Sequence, residues 1–333
     1  MVGNLSEAVS LNQLFASIVD GKFTKDGSKL RVSGNFDCNN EYLTSLVGVP
    51  QSVEGGFYCK NNNLTSLEGA PQSVGGWFDC ANNPKLESLV GGPQSIGGMF
   101  NCSDNISLTS LEGAPQSVGA SFDCWNNNLT TLKGGPQFIG GDFHCAENNL
   151  TTLEGGPQTV GANFGCGNNK LTSLEGCPLS VRSFKCSDNH LTSLKGCPQS
   201  VSGKFGCSNN RLTSLEGAPR SVGWDFSCIN NNLISLKGAP QSIGGNFDCS
   251  DNASLTSLTN INSYIDNIQG DANFTGCPIK SNILGLLKIG GLNKVYFDDK
   301  KVEAIINKYL PLGSSTDCAD ELIKEGYEAW AQL

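Results

Sequence analysis

The sequence contains few of the residues that build metal and catalytic centres. It has only two histidines, His144 and His190, and they occupy different places in the repeat described below, so a histidine cluster cannot form. Acidic residues outnumber basic ones by 31 to 22, which gives a net charge of -9. A nucleic-acid groove needs a basic stripe that neutralises phosphates. The composition therefore argues against a histidine metal site and against nucleic-acid binding.

Long apolar runs are also missing from the chain. No stretch of about 18 apolar residues occurs, so the sequence predicts no membrane-spanning helix and no membrane partner. Residues 1–7 show no basic region followed by an apolar run, which predicts that no signal peptide is present.

What the sequence does contain is one repeated segment, seen clearly over residues 50–70. A cysteine recurs every 20 to 22 residues in eleven copies, with a phenylalanine two residues before it in every copy and an asparagine three residues after it in ten. Such a fixed period predicts a solenoid, in which each unit buries its apolar face against its neighbours. The repeated cysteines are Cys38, Cys59, Cys80, Cys102, Cys124, Cys145, Cys166, Cys186, Cys207, Cys228 and Cys249.

The spacing within one copy predicts which side chains point inward. Phe and Cys at alternate positions of an extended chain share one side, which must be the inside of the coil, and the residues between them face out. The recurrent asparagine is expected to satisfy buried backbone groups, so stacked copies should form an asparagine ladder. Paired glycines such as Gly55–Gly56 indicate a tight return of the chain. About 21 residues leave room for one short strand per turn.

This repeat resembles a leucine-rich repeat. It is similar to the short class found in secreted bacterial effectors, where an apolar residue follows a proline by three positions, as Val53 follows Pro50. It also resembles repeat proteins carried by tailed bacteriophages, in which a short helical tail closes the array. The resemblance implies a solenoid fold and a binding role, and no chemistry. The apolar and asparagine positions of the motif are held here by Phe57, Cys59, Asn62, Leu64 and Leu67.

We therefore predict a solenoid of about eleven to twelve leucine-rich repeats over residues 34–277. A parallel strand ladder should cover one face, with little helix on the other. After Leu258 the period decays, and Phe274 is predicted to keep the place of the strand phenylalanine while Gly276 replaces the cysteine.

Two caps are expected to shield the apolar edges of the terminal coils. Residues 1–33 should form a helix ended by Gly21 and then a hairpin around Asp26–Gly27. Residues 278–333 should form a helical cap, for which docking to a partner is the alternative role. The N-terminal helical spacing is carried by Leu11, Leu14, Phe15, Ile18 and Val19. The C-terminal apolar positions are Ile283, Leu286 and Leu287, then Val302, Ile305, Ile306 and Tyr309, then Leu322, Ile323, Tyr327 and Trp330.

The fifteen cysteines are predicted to be reduced. In a secreted chain so many cysteines would suggest disulfides. Parallel side chains of stacked coils are poorly aimed for the disulfide dihedral, whereas buried thiols pack as small apolar groups. Together with the lack of a signal peptide, this predicts a cytoplasmic location, in a bacterial host or within a virus particle. Cys177 and Cys197 leave two alternatives open, a disulfide or metal pair and a small buried position that accepts Cys as well as Ala.

No nucleotide, nucleophile or metal motif occurs, so we predict no enzyme, no cofactor and no small-molecule substrate. Calcium is the alternative for the Asp and Asn residues of the turns, but each coil offers too few carboxylates for six to eight oxygen ligands. An acidic mimic of DNA is disfavoured because acidic residues are scattered among lysines. The turn residues considered for calcium are Asn61, Asp104, Glu147 and Asp188.

The exposed strand face is the candidate functional site. Its outward positions hold small or polar residues in most copies, whereas copies two to six carry large ones. Coils about 4.8 Å apart would place these within a patch on the order of 20 Å across. Aromatic residues and methionine are enriched at protein interfaces, and isolated surface aromatics without a role are the alternative. The predicted partner-binding residues are Tyr58, Trp77, Met99, Trp125 and His144. A second, more diffuse set comprises Lys185, Lys204, Trp224 and Ile229.

The resulting hypothesis is a protein-protein interaction scaffold that binds a partner protein through its strand face. The protein is expected to be of phage or bacterial origin, and a phage-encoded protein that acts on a host protein is one form of this hypothesis. The rival hypothesis is a structural component of a virus particle, held through its caps or the edge of the solenoid.

Overall fold

The alternation of Phe and Cys builds the main β-ladder of this protein. A computed structural model describes residues 19–20, 23–26 and 29–332. These residues fall into two units. Unit 1 comprises the described residues up to Lys170 together with Gly176–Pro178, and unit 2 comprises Leu171–Glu175 and the described residues from Leu179 onward. Both units are parallel β-solenoids, as the repeat predicts.

Most turns contribute a short strand that begins at the repeated phenylalanine, and we call the stack of these strands, with those at its two ends, the Phe–Cys ladder. Neighbouring turns pair in parallel with Phe opposite Phe, as Phe57 lies opposite Phe78. The buried phenylalanine rings stack at centroid distances of 5.1 to 6.0 Å in unit 1. In unit 1 the ladder runs through Val19–Asp20, Asn35–Asp37, Phe57–Tyr58, Phe78–Asp79, Phe100–Asn101, Phe122–Asp123, Phe143–His144 and Phe164–Gly165. In unit 2 it runs through Phe184–Lys185, Phe205–Gly206, Phe226–Ser227, Phe247–Asp248, Asp271–Asn273 and Lys294–Tyr296.

In the last turns of the Phe–Cys ladder, a small residue takes the position of the phenylalanine and a large residue takes the position of the cysteine. Ala272, and not Phe274, lies opposite Phe247. By the same register, Phe274 takes the position that cysteine holds in the repeat, so the predicted placement of Phe274 and Gly276 is wrong. The exchange keeps the interior filled, because a small residue faces the large Phe247 and a large one faces the small Cys249. Phe274 stacks in turn on Phe297 at 5.7 Å.

A second ladder, which the sequence did not predict, lies on the return side of each turn. We call it the Ser–Val ladder, since most of its two-residue strands consist of an exposed serine and a buried valine or isoleucine. In unit 1 it contains Phe23–Asp26, Lys29–Val32, Ser52–Val53, Ser73–Val74, Ser95–Ile96, Ser117–Val118, Phe138–Ile139 and Thr159–Val160. In unit 2 it contains Ser180–Val181, Ser200–Val201, Ser221–Val222, Ser242–Ile243 and Asn267–Ile268.

The predicted asparagine ladder is present, and its side chains form hydrogen bonds that connect neighbouring turns. Asn83 is fully buried, and its Nδ2 donates to the carbonyls of Cys59 and Cys80 at 3.1 and 3.0 Å. Its Oδ1 accepts from the backbone N–H of Leu64 at 3.1 Å. One amide therefore satisfies backbone groups of two turns. Within the described residues, every buried side-chain nitrogen or oxygen has a hydrogen-bond partner.

The residue two places after each ladder cysteine adopts a left-handed backbone, as Asn82 does with a φ of 52°. Asn and Asp tolerate this conformation better than most residues, which explains their recurrence in the column. The Asn82 side chain donates to Asn61 of the preceding turn at 2.7 Å. The residues weighed for calcium are thus turn residues, and the described part of the chain holds no group of three or more His, Cys, Asp or Glu placed to bind a metal.

All fifteen cysteines are thiols, as the ladder argument predicts, and Cys177 and Cys197 form no disulfide. Burial raises the pKa of the ladder thiols well above the ordinary value, for example at Cys80 and Cys124. Burial also raises the pKa of Cys197 to about 12. These thiols are therefore protonated at neutral pH and act as small apolar side chains in the core.

The N-terminal hairpin is confirmed, because Phe23–Asp26 pairs antiparallel with Lys29–Val32. The second strand of the hairpin then pairs in parallel with Ser52–Val53 and so joins the Ser–Val ladder. The prediction of a helix through Val19 is wrong at that residue, since Val19–Asp20 forms a strand that pairs antiparallel with residues of Asn35–Asp37. The rest of that predicted helix lies outside the described residues.

The C-terminal part of unit 2 contains the predicted helices and one additional strand, Lys294–Tyr296. Helix Lys300–Tyr309 buries Val302, Ile305 and Ile306, and its first turn is capped by the Asp299 carboxylate. Ile323 is 49% exposed, which corrects its assignment to the apolar stripe, because helix Ser315–Lys324 buries Cys318 and Leu322 instead. The helix ends at Lys324, so the prediction that its stripe continues to Tyr327 and Trp330 is wrong. No helix in the described part of the chain is both long and apolar enough to cross a membrane. Short helical turns occur at Ile261–Tyr264, Leu284–Lys288 and Leu310–Leu312.

The thiol assignment predicts the outcome of thiol counting. In denaturant without reductant, nearly all fifteen cysteines should react with a thiol reagent. Adding reductant should leave the unfolding midpoint unchanged, because no disulfide constrains the unfolded chain. Recovery of several disulfide-linked peptides by mass spectrometry would contradict the structure.

The asparagine ladder predicts a large cost for Asn83→Ala. The change leaves the buried N–H of Leu64 unpaired, which costs about 1–3 kcal/mol. It also removes one of the two amide donors from the carbonyls of Cys59 and Cys80, which keep their hydrogen bonds from Asn62 and Asn105. We expect the free energy of unfolding, measured by urea denaturation, to fall by roughly 2 kcal/mol or more. The matched control is Asn82→Gly, which loses one exposed hydrogen bond and keeps the left-handed backbone, so its cost should stay within about 1 kcal/mol. Equal losses in the two variants would show that the buried amides do not hold the turns together.

Candidate partner-binding face

The outer side of the Phe–Cys ladder in unit 1 consists of three columns of side chains. The central column is formed by the residue between Phe and Cys in each turn, and its members lie opposite each other in register. The other two columns flank it, one immediately before the phenylalanine and one immediately after the cysteine. The central column reads Asp37, Tyr58, Asp79, Asn101, Asp123 and His144.

Trp77 and Met99 are neighbours in the column before the phenylalanine. Trp77 is 56% exposed and Met99 is partly buried. The Trp77 indole occupies space that a side chain on the next turn would need, since a Cβ built at Gly98 would lie 2.6 Å from Trp77 Cδ1. Gly98 therefore makes room for the indole against the ladder.

Tyr58 uses a glycine of its own turn in the same way. A Cβ built at Gly56 would lie 2.4 Å from the Tyr58 hydroxyl oxygen, so the phenol ring extends back over that glycine. The ring is partly buried as a result. Tyr58 and Trp77 are thus held against the backbone, which reduces the rotamer entropy that binding would cost.

Trp125 lies apart from the other aromatic residues, in the column after the cysteine. It is 37% exposed, whereas its neighbour in the preceding turn, Ser103, is buried. Trp77 and Trp125 are two turns apart and on opposite sides of the central column. The five predicted residues therefore share one face of unit 1 without forming a single cluster, and their role in binding stays a prediction.

His144 forms a hydrogen bond with the carboxylate of Asp123 in the preceding turn, with Nδ1 and Oδ1 2.8 Å apart. This hydrogen bond raises the pKa of His144, and the charge of Asp142 acts in the same direction, while burial opposes them. The imidazole also lies close to Gly165, where a built Cβ would be 3.3 Å from Cδ2. His144 is therefore an oriented, partly exposed cation at low pH.

The acidic residues of the central column were not predicted as part of the site. Asp37 and Asp79 each accept a hydrogen bond from the backbone N–H two residues later, at 3.0 and 3.1 Å. Burial raises the pKa of Asp79, the hydrogen bond from Ala81 and the charge of Lys60 oppose this rise, and the charges of Asp123 and Asp37 add to it. The sequence signal was present, because an acid stands at every second position of this column from Asp37 to Asp123.

The second predicted set lies in unit 2 and is dispersed over several columns. Lys204 forms an ion pair with Asp225 at 2.9 Å, so part of its charge is already compensated. Trp224 is 56% exposed and lies two residues before the phenylalanine, whereas Lys185 lies in the central column. Ile229 follows the cysteine and is partly buried. The structure brings these residues onto one side of unit 2 without a common centre.

Comparison with known proteins finds solved structures whose fold is similar to that of this chain. No protein-family model and no curated protein sequence matches this chain. One similar solved structure is YopM from Yersinia enterocolitica WA-314, with 20% identity and a TM-score of 0.48 over 79% of this chain and 65% of that chain. Another is the functional domain of InlJ from Listeria monocytogenes, which includes a cysteine ladder, with 18% identity and a TM-score of 0.39 over 80% and 63%. This chain thus spans less than two thirds of the length of either.

The His144–Asp123 contact predicts a pH effect. In Asp123→Asn the pKa of His144, followed by NMR of the imidazole protons, should fall toward the ordinary value of about 6.5. Because the folded-state pKa is raised, the contact stabilises the fold below the unfolded-state pKa, and this contribution is lost as pH rises through the folded-state pKa. The stability difference between wild type and variant should therefore be larger near pH 5.5 than near pH 8.5, and below about 1 kcal/mol because the ring is partly exposed. An unchanged His144 pKa would refute the contact.

Proposed function

We propose that this chain is a protein-protein interaction scaffold whose partner docks on the outer side of the Phe–Cys ladder in unit 1. The observation that carries the proposal is the exposure of two tryptophans, Trp77 and Trp125, on a backbone fixed by hydrogen bonds between turns. Exposed aromatic residues on a rigid surface are typical anchors of protein interfaces. A rigid support lowers the ordering cost of association.

The proposal assigns the chain a binding role and no reaction. Its titratable pair, His144 and Asp123, lies on the open side of the ladder, with the imidazole side chain 40% exposed to water. Such a pair is better suited to hydrogen bonding with a partner than to catalysis, which depends on a desolvated and enclosed site. From the resemblance of the repeat we further propose a phage-encoded protein in the bacterial cytoplasm that acts on a host protein.

A structural role in a virus particle, with the chain held through its cap, is the second candidate. It is favoured by a pocket in unit 2 at the C-terminal cap, lined among others by Ile279, Phe297 and Trp330. Phe297 and Trp330 meet edge to face at 5.9 Å, which leaves an aromatic wall that an apolar side chain could contact.

The tryptophan pair provides the test of the scaffold. Trp77→Ser combined with Trp125→Ser should leave the free energy of unfolding nearly unchanged, within about 1 kcal/mol, because both side chains are exposed. Each interface tryptophan commonly contributes about 2 kcal/mol to binding, or roughly thirtyfold in affinity. The matched control is Trp224→Ser, which removes from unit 2 a tryptophan that is as exposed as Trp77.

The measurement compares proteins retained from bacterial lysate by immobilised wild type, the double variant and the control. A partner held by wild type and control but lost by the double variant supports the proposal, and calorimetry on that partner then gives the affinities. Equal retention by all three places the contact elsewhere. If the chain in addition co-sediments with purified virus particles, and Trp330→Ser releases it, the structural role is the better account.

A further inference from the structure

The outer face of unit 1 has an unbalanced charge. Its three columns contain four acidic residues and one lysine. The corresponding columns of unit 2 contain four acidic residues and three lysines, and one of these lysines, Lys204, is paired with Asp225. The imbalance is therefore local to the face that carries Trp77 and Trp125. The acidic residues of that face are Asp37, Asp79, Asp123 and Asp142.

The carboxylates of this face are held in place before any partner arrives. One oxygen of Asp37 and one of Asp79 are fixed by backbone N–H groups, and Oδ1 of Asp123 is fixed by His144. The second carboxylate oxygen, Oδ2, lies outside those bonds and remains an acceptor. Acceptors fixed in advance require little ordering when a donor binds. Ionised carboxylates offer acceptors only, so the complementary groups are cationic donors.

Like charges also make this face favourable for a cation. Asp37, Asp79 and Asp123 follow each other at every second turn. Burial is the main cause of the raised pKa of Asp79; the hydrogen bond from Ala81 and the charge of Lys60 oppose it, and the charges of Asp123 and Asp37 add to it. A cation placed among the three carboxylates would relieve the repulsion between them. Tyr58 lies opposite Asp37 and Asp79 on the turn between them, and Trp77 lies on the turn of Asp79. Their ring faces can take part there in cation–π contacts with an arginine or lysine.

We propose that the partner presents a basic segment to this face, with arginine or lysine side chains that bind the carboxylates of Asp79 and Asp123 beside Trp77. This inference rests on the proposed function. Two turns of the ladder separate the two carboxylates by about 10 Å. A chain in the polyproline II conformation rises about 3.1 Å per residue with three residues per turn, so side chains three positions apart share one side and lie about 9 Å apart. The segment should therefore run along the stack of turns, across the strands, with basic residues three positions apart.

The test uses a synthetic peptide in which every third residue is arginine, and a control peptide with citrulline in place of arginine. Binding to the full chain is measured by fluorescence anisotropy of the labelled peptide at about 50 mM and about 200 mM NaCl. Wild type should bind the arginine peptide, more weakly at the higher salt concentration. The Asp79→Asn/Asp123→Asn variant should lose about tenfold or more in affinity, because hydrogen bonds between charged groups are removed.

The asparagine variants should fold, since Asn101 occupies the same column naturally and accepts the same backbone hydrogen bond, from Ser103, at 3.1 Å. Thermal unfolding checks this. The matched control is Asp248→Asn/Asp251→Asn in unit 2, which changes the net charge by the same amount. Asp248 accepts an equivalent bond from Ser250 at 3.1 Å. This control should bind the peptide within about twofold of wild type, because it leaves the three columns of unit 1 unchanged.

Several results would overturn the inference. These are equal binding of the citrulline peptide, equal loss in the two double variants, tighter binding of a polyglutamate peptide or of a neutral glucan oligosaccharide, and no saturable binding up to about 1 mM. Failure of this inference can be distinguished from failure of the proposed scaffold function. If a lysate partner is lost from Trp77→Ser/Trp125→Ser but held at full strength by Asp79→Asn/Asp123→Asn and in high salt, the scaffold stands and its partner is not basic.

Discussion

Every turn of this protein depends on its neighbours for the hydrogen bonds that its backbone cannot make alone. Backbone N–H and C=O groups pair between turns along two ladders, and buried amides such as that of Asn83 satisfy groups that the ladders leave over. Because an unpaired buried group costs about 1–3 kcal/mol, the turns must stack in register. This register fixes the residue types of the inward columns, which hold Phe, Cys and Asn. The residue types of the outward columns can vary, so a binding function can arise there.

The parts of the fold that repeat could be predicted from the sequence, since a column that must fill the same interior space keeps the same residue. The Ser–Val ladder could not, because its two-residue strands are too short to show an alternation of apolar and polar residues. The exchange at Ala272 and Phe274 was missed for another reason. Spacing alone predicted that Phe274 stays in the phenylalanine column. Only the strand register shows that Ala272 stands in that column and that Phe274 stands in the cysteine column.

The candidate face was predictable where large residues interrupt a column of small ones, as at Trp77 and Trp125. Its finer structure was not. Nothing in the sequence says that Tyr58 extends over Gly56, or that His144 meets Asp123. The acidic residues were overlooked because Asp is also the ordinary occupant of a turn, where it bonds to the backbone two residues later. Only their common column, at every second turn, distinguishes a charged surface from a row of turn residues.

The buried thiols give the chain a property that concerns its kinetics. Each ladder cysteine is enclosed by its own turn and held in the unreactive protonated form, so a thiol reagent reaches it only when that turn opens. The cysteines recur once per turn, so their labelling rates would record how often each turn opens along the stack. A partner bound to the outer face would stabilise the turns that it covers. The cysteines of those turns would then react more slowly with the thiol reagent.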